Sequence, residues 1–397
     1  MYPGSSIPPG HPLWSIYGWL FIKLVPYSNI AWRLNLASAV AGALTFGLIA
    51  LLVSRVGISA VENLANFKRF SALEQKSTRV ICGGVAGMGI GLDGCLWCKA
   101  VVADTWPLSL LLFALIICLL TRWFLGRHQM RYLFAASVVL GLTLSESQAL
   151  IPTAFALPFL LALGNQKIGR EIFFGISVSL WCLLMANNFV QHFGWIIGPS
   201  SKHLLIGAAV IATVVWGSLS VFTKGLFSEW KTTTLCVILF LTGVCFDFLL
   251  PLLSMTTPPV NWGYPRTVEG FFHVLSRGQF DSMNPVNTFS QLLTGWKYYG
   301  EVALDDFGLI YVIAAAIPFL MLQKMSSPVQ RWFVGLLAVW FFVSLLMLVV
   351  LNLDSDRSTL EYVKPFFAAT HIPLALLAGC GLILVVAIFG RSARLKP

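Results

Sequence analysis

The charged and aromatic residues of one connection, residues 261–280, are the strongest candidates for chemistry in this chain. The stretch reads NWGYPRTVEGFFHVLSRGQF and lies between two apolar runs. If Thr267 caps a short helix that ends near Gly278, four ionisable side chains recur at helical spacing and share one face. They are Arg266, Glu269, His273 and Arg277. Such a face suits a phosphate held by charge-assisted hydrogen bonds, and the open alternative is an interfacial helix whose basic face touches lipid headgroups.

Ionisable residues within or beside other apolar runs are the next candidates, because charges at membrane depth are costly and mark functional sites by default. Asp93, Lys99 and Asp104 cluster in GLDGCLWCKAVVADTWPL, where mutual neutralisation of Lys99 and Asp104 is the competing interpretation. Glu146 lies at a polar tip between two apolar segments, and its alternative is a solvated turn. Asp247 lies within an apolar helix, and we expect a structural partner for it inside the bundle.

Two short motifs resemble ligand-binding sequences but are interpreted as structural. A GxGxxG pattern in residues 89–94 resembles a dinucleotide-binding loop, but it lies in an apolar span. There the spacing of small residues over 83–91 predicts close helix packing. Cys95 and Cys98 form a single CxxC pair, with no second pair and no histidine nearby in the sequence. The sequence therefore predicts no metal site and no cofactor.

The composition indicates that membrane-spanning helices must position these groups. The 397 residues are 57% hydrophobic and 11% charged, with a mean hydropathy of +0.82, which excludes an ordinary soluble domain. Nine apolar runs have the length of a spanning helix, and residues 132–163 are interpreted as two more spans. The predicted fold is an all-α polytopic membrane protein of about eleven helices, forming one membrane domain over residues 1–397.

The distribution of basic residues orients the predicted spans. Most of the 26 Lys and Arg residues fall on one set of alternate connections, which the positive-inside rule assigns to the cytoplasm. The formal net charge of +10 therefore reflects topology, and a nucleic-acid partner is not expected. Long outer connections are predicted at residues 1–30, 253–304 and 352–365, the first with an interfacial helix.

Four stretches match the motifs of one family in order along the chain. They read IPPGHPLWSIYGWLFIKLVPYSNIAWRLNLASAVAGAL, WCKAVVADTWPL, GLTLSESQALIP and NWGYPRTVEGFFHVLSRGQF. They resemble the bacterial family of domain of unknown function 2723, which is related to transmembrane protein 260 of animals. The resemblance extends through nearly the whole chain, and the last motif is its most specific part.

The resemblance implies a glycosyltransferase of the type C membrane fold. In that family a polyprenyl-phosphate sugar, mannose for the animal relatives, gives its sugar to a protein or glycan acceptor on the extracytoplasmic face, here of a bacterial inner membrane. Such an enzyme needs a carboxylate to accept the hydroxyl proton and cations to stabilise the leaving phosphate. Residues suited to binding the substrates are Lys99, Asn261, Trp262, Arg266, Glu269, His273 and Arg277, with Trp97, Trp106 and Tyr264 as further aromatic surface.

The chain departs from the family pattern at its beginning. The family's acidic motif precedes the HPPG stretch, whereas this sequence starts after that point and has Ile7 in place of the histidine. The expectation is either that the start falls too late or that this member has lost or moved its base. In the second case Asp104, which matches a glutamate of the family, and Glu146 are the candidate catalytic residues.

Two functions of other classes remain open from the sequence. A transporter or flippase for a lipid-linked sugar would share the phosphate-binding face, although its charges are expected near the membrane midplane. A non-catalytic protein that binds a lipid-linked sugar is the other alternative.

Overall fold

The computed structural model describes residues 11–62, 64–68, 70–126, 128–189, 199–257, 261, 263–276, 285–286, 288–352 and 357–390. Within these residues the chain is helical and no strand occurs, which confirms the predicted all-α class. The helices are α1 (Pro12–Leu24), α2 (Ile30–Val61), α3 (Ala65–Lys68), α4 (Ala72–Gly91), α5 (Gly94–Ala100), α6 (Trp106–Leu125), α7 (Met130–Glu146), α8 (Ile151–Gly164), α9 (Gln166–Phe189), α10 (Pro199–Thr223), α11 (Trp230–Val244), α12 (Leu249–Met255), α13 (Val268–Leu275), α14 (Phe289–Phe307), α15 (Leu309–Leu320), α16 (Ser327–Leu351), α17 (Arg357–Val363) and α18 (Ala368–Phe389). Short 3-10 turns occur at Gln148–Leu150, Cys245–Phe248, Leu322–Lys324 and Lys364–Phe367.

Seven helical segments of the described chain are long and apolar enough to cross a membrane. They are Ile30–Val61, Trp106–Leu125, Gln166–Asn187, Lys202–Thr223, Trp230–Met255, Ser327–Leu351 and Leu360–Phe389. The number rises to at most nine if each of two bent pairs, α4 with α5 and α14 with α15, counts as one span. The composition and these helices identify a multi-pass membrane protein.

The number of spans is lower than the predicted eleven because of residues 132–163. There α7 has 17 residues and α8 has 14, and both fall short of the roughly 20 residues that a spanning helix needs. The predicted polar tip between them is present: α7 ends at Glu146, and Pro152 lies in the first turn of α8. The interruption therefore shortens both helices.

Close helix packing explains the glycines of α4. A Cβ atom added to Gly83 would lie 2.5 Å from the carbonyl oxygen of Ala50, and one added to Gly87 would lie 2.9 Å from that of Phe46. Both carbonyls belong to α2, so the small residues allow the two backbones to approach. This confirms the packing interpretation of the glycine pattern.

Helix α18 lies at the centre of the apolar core. It packs against α2, α4, α15 and α16, and most of its residues are buried. Long-range hydrogen bonds bring several helix ends together at one end of the bundle. These are the start of α2, the α4–α5 break, the start of α6, the α7–α8 junction and the start of α18, together with α13. We call this the α13 end.

Candidate functional site

Glu146, one of the two predicted catalytic residues, is buried at the end of α7, with 1% of its surface exposed. Its Oε2 atom accepts hydrogen bonds from the backbone N–H groups of Leu13 and Trp14, each at 3.0 Å. These amides open α1, where the helix dipole and the unpaired N–H groups favour a negative charge. The alternative of a solvated turn is wrong, because the carboxylate holds the first turn of α1 against the end of α7.

His11 completes this contact from the other side. Its Nδ1 atom lies 2.5 Å from the carbonyl oxygen of Glu146 and 3.5 Å from Oε1 of the same residue. Burial lowers the pKa of His11, but the hydrogen bond and the charge of Glu146 outweigh it, and the charge of Asp104 adds to them. The pKa of His11 is therefore raised above its ordinary value, and a protonated imidazole would form an ion pair with Glu146.

Asp104, the other predicted catalytic residue, lies in the connection between α5 and α6. Its Oδ2 atom is 3.0 Å from Nζ of Lys99, and its Oδ1 atom accepts a hydrogen bond of 2.8 Å from the backbone N–H of Trp106. The hydroxyl of Ser38 bonds to the backbone N–H of Asp104, which fixes the connection against α2. The Lys99 and Asp104 side chains remain 35% and 23% exposed, so the predicted ion pair forms and is still accessible.

The tryptophans beside this pair differ in exposure. Trp97 is 54% exposed, whereas Trp106 is buried and donates its indole N–H to the carbonyl oxygen of Pro365 at 2.8 Å. Trp106 also packs edge-on against Phe366. Of the two, only Trp97 presents a large aromatic surface outward, and Trp106 fastens the start of α6 to the turn before α18.

Asp247 has the structural partner that was predicted for it. Its Oδ1 atom accepts a hydrogen bond of 2.8 Å from the hydroxyl of Ser145, the neighbour of Glu146. Two further contacts attach α13 to the same region: Gln148 donates to the carbonyl oxygen of Leu275 at 2.8 Å, and the rings of Phe248 and Phe271 stack with centroids 5.6 Å apart. The α7–α8 junction thus supports α13.

Helix α13 carries two of the four residues predicted for its polar face, Glu269 and His273, whereas Arg266 precedes the Thr267 cap. Thr267 caps it by accepting a hydrogen bond from the backbone N–H of Gly270, although the helix ends at Leu275, before Gly278. On one side Val274 is buried, whereas Arg266, Glu269 and His273 are exposed.

Side-chain contacts also fix the residues that precede α13. The Arg266 guanidinium lies over the ring of Tyr264, 4.2 Å from its centroid. The Asn261 amide donates to the hydroxyl of Ser254 at 2.9 Å. Trp262 and Arg277, which were also predicted to bind substrate, lie outside the described residues.

A second polar cluster, which sequence reasoning did not assemble, lies deeper at the α13 end. Asp93, Cys95, Asp306 and His371 each contribute one potential ligand atom, and these atoms all lie within 4.8 Å of one another. The closest pairs are His371 Nδ1 with Asp93 Oδ2 at 2.8 Å and Cys95 Sγ with Asp306 Oδ2 at 3.2 Å. Among these residues only Asp93 and Cys95 were noticed in the sequence, and neither was connected to His371, a lone ionisable residue in an apolar span.

Interruptions in two helices place this cluster. Asp93 lies at the break between α4 and α5, which bend by 68°, and Asp306 lies just before the break between α14 and α15, which bend by 106°. Gly308 has a φ of 75° at the second break, a conformation that favours glycine. Gly94 allows the approach, since a Cβ there would lie 2.9 Å from Asp306 Oδ1. Broken helices with ionisable residues at the break are typical of functional sites in membrane proteins.

The fold and these residues define a polytopic membrane protein with polar sites gathered at one end of its helix bundle. Residues 4–168 match the family model described as the protein O-mannosyl-transferase TMEM260 N-terminal domain, which confirms the family resemblance over those residues. The match relates this part of the chain to glycosyltransferases. It contains His11, Asp93, Asp104 and Glu146, and it ends before α13. No curated protein and no solved structure gives a significant match to the chain.

Proposed function

We propose that the protein transfers a sugar, mannose by analogy with the matched family, from a polyprenyl-phosphate donor to a hydroxyl group of a protein or glycan on the extracytoplasmic face. One observation carries this proposal. The family-matched region and α13 meet at the α7–α8 junction, where Gln148 bonds to Leu275 and Glu146 bonds to the start of α1. The basic face and the acidic residues are thus gathered at the same end of the bundle.

We assign binding of the donor phosphate to the cationic side chains at the α13 end. Arg266 and His273 are exposed on or beside α13, and Lys99 lies on α5 at the same end of the bundle. An arginine offers two parallel hydrogen bonds to a phosphate, and its charge stabilises the negative charge that the leaving group gains. The stacking of Arg266 on Tyr264 limits the orientations that the guanidinium samples before the donor binds. Glu269, Asn261, Trp262 and Arg277 stay assigned to the same substrate-binding surface.

We assign to Asp104 the role of the base that accepts the proton of the acceptor hydroxyl. The hydroxyl oxygen attacks the anomeric carbon, the bond from that carbon to the phosphate oxygen breaks, and its electron pair leaves with the polyprenyl phosphate. The hydroxyl proton passes to the Asp104 carboxylate, which is partly exposed beside Lys99. Attack opposite the leaving group inverts the configuration of the sugar.

Glu146 is the less suitable base of the two predicted candidates. Its Oε2 atom already accepts two backbone hydrogen bonds, and its Oε1 atom faces His11. We assign Glu146 the role of a positioning residue that holds α1 in place. It also holds His11 where the charge of Asp104 raises the pKa of His11.

A transporter or flippase for a lipid-linked sugar is the second candidate, favoured by the two broken helix pairs at Asp93 and Asp306. The polar residues of α13, Asp104 and Glu146 nevertheless gather at one end of the bundle. Alternating access would instead need a binding site that opens to both sides. A binding protein without activity is the third possibility and predicts donor binding without transfer.

The test uses the full chain, purified and reconstituted in liposomes, with radiolabelled polyprenyl-phosphate mannose and a hydroxyl-bearing acceptor peptide. We expect transfer to fall about 10²-fold in Arg266→Ala and about 10²–10⁴-fold in Asp104→Asn. The control is Arg331→Ala, which alters an exposed arginine at the start of α16, at the opposite end of the bundle.

Each outcome of this assay discriminates between the functions. Undiminished transfer in Arg266→Ala would overturn the phosphate assignment, and undiminished transfer in Asp104→Asn would overturn the base. Movement of the labelled lipid between leaflets without transfer would establish the transporter, and saturable binding with neither activity would establish the binding protein.

A further inference from the structure

We propose that Asp93, Cys95, Asp306 and His371 form a binding site for one divalent cation of the zinc class. The four residues offer two carboxylates, one thiolate and one imidazole, all of them groups that bind Zn²⁺. One atom from each lies within 4.8 Å of the other three. Bonds of about 2.0–2.3 Å in a tetrahedral arrangement separate neighbouring ligand atoms by roughly 3.3–3.8 Å. The closest pairs, at 2.8 and 3.2 Å, and the 4.8 Å limit of the cluster lie on either side of that spacing, so small side-chain movements would bring the four atoms to it.

The two carboxylates are held in the same way. In Asp93 the Oδ1 atom accepts a hydrogen bond of 2.9 Å from the backbone N–H of Cys95, and the Oδ2 atom lies beside His371. In Asp306 the Oδ1 atom lies 3.9 Å from Nζ of Lys364, and the Oδ2 atom lies beside Cys95. Each carboxylate therefore uses one oxygen for orientation and turns the other towards the cluster, as second-shell contacts do around metal ligands.

The negative charge of the two carboxylates requires a positive partner. The Asp93 and His371 side chains are fully buried and that of Asp306 is 8% exposed, so two carboxylates meet in a region from which water is excluded. Burying charges is costly unless opposite charge accompanies them. Lys364 supplies one positive charge, and a divalent cation would balance the remaining carboxylate and the Cys95 thiolate.

The alternative partner is a proton, either on His371 where it pairs with Asp93, or between the Asp93 and Asp306 carboxylates, which hydrogen-bond to each other. The Nε2 atom of His371 is buried and has no hydrogen-bond partner among the described residues. A doubly protonated imidazole would leave a charged N–H donor unpaired there, whereas a neutral ring that binds a metal through Nδ1 leaves only an uncharged one, which costs less. A metal ligand requires the neutral ring, and the buried thiol of Cys95 adds a ligand that an ion pair with a proton does not use.

This inference does not rest on the proposed transferase activity, and its test measures the metal directly. The full chain is purified in detergent, loaded with Zn²⁺ and freed of unbound metal, and its metal content is determined by mass spectrometry. We expect about one Zn²⁺ per chain, falling at least about tenfold in Cys95→Ala and in Asp306→Asn. The control is Cys118→Ala, which removes a buried free cysteine of the apolar core.

A second measurement keeps the test decisive if a variant fails to fold. The unmodified chain is stripped with a chelator and reloaded with Co²⁺, and we expect a thiolate-to-metal absorption band and a restored thermal midpoint. A chain that binds no stoichiometric metal, or a Cys95→Ala variant that keeps all of it, would overturn the proposal. A thermal midpoint that responds to pH but not to Zn²⁺ or Co²⁺ would assign the cluster to a proton and would also overturn it.

Discussion

The two polar regions at the α13 end satisfy their charges in opposite ways. Around Asp104 and Glu146, each carboxylate meets backbone N–H groups and a single cationic partner, and Asp104 with Lys99 remains partly exposed. Around Asp93 and Asp306, two carboxylates share one enclosed space with a thiol and an imidazole. The first region can exchange a ligand with its surroundings, whereas the second is closed.

The difference follows from the elements that build each region. The Asp104 and Glu146 region is made of connections and helix ends. Water reaches Asp104 there, and backbone N–H groups satisfy the buried carboxylate of Glu146. The Asp93 cluster is made where two helices break inside the bundle, against the central α18. Polar groups at such breaks must find partners within the protein. We therefore expect substitutions at Asp104 and Lys99 to affect mainly activity, and substitutions at Glu146 and in the Asp93 cluster to affect mainly stability.

The largest effect on stability is expected from His371→Leu. The change removes the Nδ1 partner of the Asp93 carboxylate and leaves it buried beside an apolar side chain, and an unsatisfied buried charged group typically costs about 3 kcal/mol or more. The measurement is the thermal midpoint or the denaturant midpoint of the purified protein in detergent. The control is His273→Leu on the exposed face of α13, where we expect a change within about 0.5 kcal/mol. Equal effects of the two variants would remove the distinction between the two regions.

An intermediate effect is expected from Glu146→Ala. The variant loses the two hydrogen bonds to the first turn of α1 and the contact with His11. Hydrogen bonds to charged groups contribute a net of roughly 1.5–3 kcal/mol each, and part of this loss is offset because a charge is no longer buried. We expect a loss of about 2 kcal/mol and faster proteolysis near α1, measured by limited proteolysis with mass spectrometry.

Glu269→Ala is the matched control, because Glu269 is an exposed glutamate of α13. Its expected effect on proteolysis near α1 is close to none. If α1 resists proteolysis equally in Glu146→Ala and in the unmodified chain, the Glu146 carboxylate does not position this helix.

Local signals in the sequence predicted the parts of the structure that depend on neighbours along the chain. The Thr267 cap, the polar tip after α7 and the close approach of α4 to α2 follow from residue types at short spacing. The hydrogen-bond partners of the buried carboxylates could not be predicted from such short spacings. Glu146 bonds to amides 133 and 132 positions away, and Asp93 meets an imidazole 278 positions away.

Such partners depend on how the helices are arranged, which no pattern within one segment encodes. The argument against a metal site at the isolated CxxC pair considered only histidines close in sequence to Cys95, whereas the folded chain brings the ligand atoms of Cys95 and His371 within 4.8 Å of each other. A lone histidine in the apolar run of α18 was the available signal, because an ionisable group at membrane depth needs a partner.

The smallest effect, and the one that sharpens the comparison most, is the pH dependence of the His11–Glu146 contact. The pKa of His11 is raised in the folded protein because Glu146 outweighs the effect of burial. A raised histidine pKa contributes stability that is fully present below the ordinary value of about 6.5 and is lost as the pH rises through the higher folded value. We expect the docking of α1, followed by proteolysis, to weaken over that interval. In His11→Gln the weakening should disappear while the hydrogen bonds from Leu13 and Trp14 remain. A pH profile that is unchanged in His11→Gln would assign the titration to another group and would leave Glu146 as an anion held by backbone amides alone.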